Sequence, residues 1–399
     1  MDLSHVRKSP YLELIAAGEP FRLLFPIGTA AGILGVLLWP LHAMGWMDGY
    51  PLTAHTRIMV EGFLAAFVFG FLGTALPRML EVARSGALEI FTWGGALVTI
   101  TLFHFWGWHL VGDILFLVLF LCFLTSLLIR AQHRKDTPPP GFVLVAMGML
   151  CGIAGTALHI AIGALPGGMP PWVYPLARTL LYQGFLLLPV MGVGAFLLPR
   201  FFGLPNRHSF PESLALPPGW TARARFAALC GIVVVASFAL EALGYLRTGY
   251  ALRAIGVLVY LIREVPVHQA RFSQGSLART LRVALAAIPL GYLALAVHPG
   301  WQLSLIHVVF ITGFSLLTFT VASRVVLGHS GRSDLFAARL KAIGGMAVLL
   351  VLALGMRLIA EAFPAVRIPV YAISALLWIA GALIWAVTIL PRVRYPDTE

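Results

Sequence analysis

The feature that constrains this chain most is an apolar run of about twenty residues that recurs from end to end. A run of that length crosses the hydrocarbon layer as a helix. Only a helix satisfies its own backbone groups in lipid within one segment of that size. The runs predict spans at 23–44, 57–78, 88–108, 110–130, 142–165, 172–201, 225–246, 251–267, 280–298, 303–326, 340–363 and 369–391. The reading is an all-α membrane protein, with twelve transmembrane helices in one bundle and residues 1–399 as a single polytopic membrane domain. Charged residues make up only 11% of the chain, too few to coat a soluble domain.

The formal net charge is +12, which could suggest nucleic acid. The basic residues are thinly spread over many short loops, so no nucleic-acid partner is expected. They answer a question of orientation instead. With both ends inside, the outer side carries only Arg57, Arg178, Arg247, Arg253, Arg357 and Arg367 of the 28 Lys and Arg residues. That bias predicts a multi-pass protein of the cell inner membrane with N- and C-termini cytoplasmic. The first apolar run follows a short basic head and reads as a retained anchor. Cys122, Cys151 and Cys230 show no paired spacing, so neither a disulfide nor a thiolate metal site is expected.

Ionisable side chains at membrane depth are costly and mark function by default. Seven histidines, His42, His55, His104, His109, His159, His298 and His307, fall near the outer ends of spans. His42, His109 and His298 sit beside tryptophans and fit the headgroup zone. His104, His159 and His307 lie inside apolar runs and are candidate metal ligands, since neutral imidazole suits haem iron and copper. His104 and His109 are about 140° apart on a continuous helix, so they meet only if the helix ends between them. The stripe Gly62, Ala66, Gly70, Gly73 fits close helix packing better than a planar cofactor. Arg57 and Glu61 are spaced i,i+4, as are Arg357 and Glu361, and each pair can neutralise itself. An outer arginine can also hold a haem propionate. No internal repeat stands out.

Certain runs resemble a known family. GEPFRLLFP (18–26) resembles the PFRxFF opening of the NnrS family of membrane proteins. HTRIMVEGFLAAFVFGFLGTALPRML (55–80) resembles that family's HxHEMxFGFxxAxxxGFLLTAxPN segment. HVVFITGFSLLTFTVASRVVLGHSGR (307–332) resembles its HxxTVGAIGxMxLxVMxRxxLGHTGR segment. His159 falls where the family has a histidine in its fifth span. The resemblance implies a twelve-span protein containing haem and copper and linked to nitric oxide metabolism and nitrosative-stress tolerance. It matches His55, His159, His307 and His329. Histidines on the second and tenth spans also look like the low-spin haem site of the haem-copper oxidase core subunit. Two departures stand out. The second histidine of HxH is Arg57 here, and the sixth-span GGR reads GVG at 192–194. The sixth and seventh spans carry no histidine, which weakens the expectation of copper.

These observations predict haem b held by His55 and His307, with His159 as an alternative ligand, His104 as a further metal ligand and Arg57 beside the cofactor. Copper is the second candidate metal. His329 falls on the opposite side and fits a role in holding its loop. The expected partners are membrane lipid, a small diatomic ligand such as nitric oxide, and an electron donor. The rival readings are a nitric oxide or quinol-linked reductase, and a secondary transporter without cofactor. The transporter reading calls for repeats and a midplane site.

Overall fold

The computed structural model describes residues 11–396 apart from 206, 209 and 271–274. Arg7, Lys8 and Arg271, three of the expected inner-side basic residues, lie outside the described residues. The described residues contain no strand. Eleven helices are long and apolar enough to cross a membrane. They are α1 (Phe21–Ala43), α2 (Leu52–Met79), α3 (Ala87–Phe105), α4 (His109–Gln132), α5 (Phe142–Ala164), α6 (Val173–Phe202), α7 (Trp220–Ala242), α9 (Ser276–Val297), α10 (Pro299–Gly328), α11 (Lys341–Ala362) and α12 (Pro364–Arg394). The remaining long helix, α8 (Leu246–Glu264), has 19 residues but carries Arg247, Arg253, Arg263 and Glu264. It begins earlier than the apolar run at 251–267 and stops before Pro266, whose ring disfavours helical backbone at the residue before it.

The edges of α2 and α10 also differ from the apolar runs. Each helix begins about one turn earlier, after Pro51 and at Pro299, where a missing N–H costs nothing. His55, which precedes the expected span at 57–78, therefore sits on helix rather than in a loop, and His307 lies on helix as its apolar run implied.

Helices α2, α6 and α10 lie toward the inside of the bundle. Buried residues make up 78% of the most apolar stretch of α2, 83% of that of α6 and 61% of that of α10, which α1 matches at 61%, against 28% for α4 and α11. The others wrap around them, and α12 returns to pack on α1. Each inner helix carries one widened π-helical segment near its start, at Ile58–Leu64, Leu180–Gly184 and Val308–Ser315. Such insertions are rare and cluster at functional sites. The backbone thus has a four-helix period that the sequence does not display. The core around α2 is dense with aromatic rings, such as Phe63 against Trp378 of α12 and Phe69 against Phe123 of α4.

The small-residue stripe of α2 is a packing face. A Cβ on Gly62 would meet Thr101 of α3 and Ala31 of α1, and one on Gly70 would meet Phe25. One end of the bundle exposes Trp46, Trp106, Trp108, Trp172 and Trp301, the pattern of an interfacial belt. His55 and His307 lie at this end.

At the opposite end a polar clamp closes the molecule. Glu19 accepts from Arg22 Nε at 2.6 Å, from His329 Nδ1 at 2.9 Å and from Arg78. Arg22 also donates to the carbonyls of Val393, Tyr395 and His329. Burial raises the affinity of Glu19 for a proton, but His329 and Arg22 outweigh it and hold its carboxyl down at about 2. His329 therefore ties the end of α10 to the start of α1 and the end of α2. Its partners are Glu19 and Arg78, while Arg332 pairs with Asp334 and Arg324 lies over Phe201 and Phe336.

Candidate functional site

Three polar clusters stand at the tryptophan-rich end, one beside the start of each inner helix. They use similar residues and leave them in different states.

The first lies between α1, α2, α10, α11 and α12. His55 precedes the π-helical segment of α2, and its Nδ1 is 2.9 Å from the carbonyl of Gly35. That contact depends on close approach of α1, because a Cβ on Gly35 would lie 2.8 Å from the Ile58 side chain. His307 precedes the π-helical segment of α10, and its Nδ1 is 2.7 Å from the carbonyl of Leu303. A ring nitrogen facing a carbonyl is the one that carries the proton, so in both residues Nε2 keeps its lone pair for a metal. Trp39 meets His55 edge-on at 5.7 Å, and Arg357 links that tryptophan to His307.

Arg357 is buried, at 7% exposed. Its guanidinium lies 3.7 Å above the Tyr371 ring, 3.3 Å from the Leu303 carbonyl and 3.5 Å from His307 Nδ1. Among the described residues it makes no ion pair, and its Nε has no acceptor. The i,i+4 pairing expected with Glu361 does not form. Glu361 turns instead to Ser304 at 2.9 Å and to Arg367 at 3.7 Å. A buried cation without a counter-ion is costly, and an incoming anion relieves that cost.

The second cluster joins α2, α3, α4, α5 and α6. Arg57 Nε is 2.8 Å from Asp113 Oδ1, and its Nη2 donates to Oδ2 at 3.0 Å. Its Nη1 donates to the Tyr182 hydroxyl at 2.7 Å, and Glu61 is 3.6 Å away, so the expected Arg57–Glu61 pair is present. His104 Nε2 lies 3.0 Å from Glu61 Oε2. Helix α3 does end between His104 and His109, and their rings stack with centroids 5.6 Å apart. His159 stacks on Tyr182 at 5.6 Å, its buried Nε2 without a partner.

The third cluster is closed. Arg253 of α8, fully buried, donates to Ser237, Gln183 and Glu241 at 2.9, 2.6 and 2.8 Å. Tyr250 and Gln302 complete Glu241 at 3.0 and 3.2 Å.

The expected ligand set is therefore divided. His55 and His307 share the first cluster, while His159, His104 and Arg57 belong to the second. Arg57 does not stand beside the histidine pair, because Asp113 and Tyr182 hold its guanidinium. The arginine that does stand there is Arg357, which regular spacing assigned to Glu361. Glu61 is marked by its spacing from Arg57 and Asp113 only by its depth, while Tyr182, Trp39 and Tyr371 join these sites without a sequence signal.

The donor set of the first cluster suits a haem in its chemistry: two imidazole Nε2 lone pairs, and a guanidinium with no ion pair among the described residues that can meet a carboxylate. A copper ion fits the second poorly. Ligand atoms of Glu61, His104 and Asp113 lie within 4.8 Å of one another, the one such buried group among the described residues. But Arg57 already stands on both Asp113 oxygens, and a second cation would have to displace it.

A family profile described as NnrS protein matches residues 16–396, nearly the whole chain. No curated protein matches it.

Proposed function

The chain belongs to the NnrS family, and from that premise we propose that it is a haem b protein of the bacterial inner membrane, serving nitric oxide metabolism or nitrosative-stress defence. The observation that carries this reading is the pair His55 and His307. Each has Nδ1 set against a carbonyl and Nε2 left for iron, and each sits at the mouth of a π-helical segment. When bound, haem supplies reversible one-electron chemistry and iron that binds diatomic gases.

The chain's own contribution is to place and tune. Gly35 and Leu303 fix the two imidazole orientations. Arg357 offers its charge to a haem propionate, with Tyr371 and Trp39 holding it in place. Trp39 walls the His55 side, and the apolar rings Phe63 and Trp378 lie farther along the helices and exclude water. His159 and His104, in the neighbouring cluster, are the alternative ligands.

The test is the oxidised and dithionite-reduced visible spectrum of purified protein, with metal analysis. Sharp reduced haem b bands, lost in His55→Ala and in His307→Ala, are expected. Bands that survive both changes would move ligation to His159 or His104. Colourless protein would overturn the reading.

A further inference from the structure

At the end of the bundle away from the tryptophans, two of the inner helices finish on arginines. Arg200 stands in the last turn of α6, and Arg324 in the last turns of α10. Arg324 is half-buried, and its guanidinium lies 4.5 Å from the centre of the Phe201 ring and 4.2 Å from that of Phe336. Arg200 is exposed and lies over Phe196 at 4.7 Å. Among the described residues neither arginine makes an ion pair, and neither guanidinium meets a hydrogen-bond acceptor. Rings take up the faces of these cations and leave the N–H donors along their edges unused.

The two charges also act on each other. Arg200 adjoins Phe201, the ring beneath Arg324, and its like charge repels that of Arg324. The carboxylates at this end are engaged elsewhere. Glu19 serves Arg22 and Arg78, Glu264 serves Arg223, and Asp334 serves Arg332. Two guanidiniums with unused edges suit a phosphate, which each can meet through paired N–H···O bonds.

Depth decides where that phosphate comes from. Both arginines lie near the ends of membrane-crossing helices, at the level of lipid headgroups. Apolar surface runs up to them as well. The lining of the pocket between α2, α6 and α10 reaches Leu198 and Ala322, each two residues short of an arginine. A free phosphate gains nothing from such surface, whereas an acyl chain does. Basic pockets between membrane helices on the cytoplasmic side take anionic headgroups in this way.

We infer that Arg200 and Arg324 form a headgroup site for one anionic phospholipid, whose phosphate bridges the ends of α6 and α10. The shared anion replaces repulsion between the two helix ends with attraction. The assignment rests on neither the haem nor the pair His55 and His307.

Full-length protein purified in detergent would be mixed with phosphatidylglycerol or with phosphatidylcholine, then read by native mass spectrometry and by thermal midpoint. One phosphatidylglycerol should stay bound where phosphatidylcholine does not, and it should raise the midpoint. Arg200→Gln and Arg324→Gln should each lower its occupancy about fivefold, the factor that one basic residue near the surface contributes. Arg134→Gln, on an exposed arginine of the loop after α4, should leave it unchanged. If Arg324→Gln does not fold, Arg200→Gln decides alone. Equal retention of the two lipids would overturn the inference, as would full occupancy in Arg200→Gln or an equal loss in Arg134→Gln. Inorganic phosphate that raises the midpoint as far without lipid would overturn it too, by reducing the site to one for a free anion.

Discussion

The first and second polar clusters are built from the same kinds of residue and behave oppositely. Around Arg57, two carboxylates and a tyrosine hydroxyl answer one guanidinium. Around Arg357, an aromatic ring and a carbonyl answer it, and the nearby glutamate looks elsewhere. The third cluster, around Arg253, follows the closed pattern. The difference teaches that a buried arginine is informative through its partners rather than its depth. A cluster that neutralises itself holds helices together, while one left open waits for a ligand.

The comparison can be broken by substitution. The largest effect is expected from Arg253→Ala. It strands Glu241 in the core, and breaking a buried pair on one side costs about 3–5 kcal/mol. Loss of folded protein in detergent, by size-exclusion yield or thermal midpoint, would show it. A mild Arg253→Ala phenotype would contradict the closed-cluster account. Next is Gly35→Ala, which drives a methyl group into Ile58 and separates α1 from α2. An overpacked core loses about 1–3 kcal/mol, and the haem content should fall along with the midpoint. Arg357→Ala should cost less stability, about 1–2 kcal/mol of ring contact, because it strands no carboxylate. Its haem-to-protein ratio should nevertheless fall severalfold, with partial recovery in Arg357→Lys. A large stability loss with unchanged haem content would place Arg357 among the structural arginines.

The smallest effect concerns pH. Folded Glu19 holds its proton only below about 2, against an ordinary value near 4.5. A depressed carboxyl contributes stability that is present above the ordinary value and lost as pH falls from there through about 2. The thermal midpoint of wild type should therefore drop over that window. In Glu19→Gln it should start lower and lose that part of its pH dependence.

Much of the fold was legible because each span announces itself by length and hydropathy. Helix α8 was legible only as a weaker run, since its arginines and Glu264 interrupt it. The pairing of helices was not legible, because lipid-facing and core-facing sides are both apolar and no alternation tells them apart. His55 and His307 were recognisable as candidates from depth and family pattern. That they share one cluster while His104 and His159 share another depends on the four-helix period, and hydropathy is blind to it. Regular spacing was right for Arg57 with Glu61 and wrong for Arg357 with Glu361, because Ser304 and Arg367 compete for that second glutamate. The departure to GVG at 192–194 was visible in the sequence. That Gly194 lines an apolar pocket between α2, α6 and α10 was not.

The π-helical segments also change what an insertion or deletion means in this chain. Each packs more residues per turn than the α-helix around it. Removing one residue from Ile58–Leu64 would let the backbone relax to ordinary α geometry without breaking the helix. The wide segment and the shorter α segment turn the chain by nearly the same total angle, so His55 would keep facing Gly35 while Phe67 and Phe69 kept their seats in the core. A residue removed from the regular part of the helix between His55 and Phe67 would instead turn one relative to the other by about 100°. A relative one residue shorter within Ile58–Leu64 would therefore keep both the membrane fold and the orientation of its histidine, so the wide turn is where this helix tolerates a change of length.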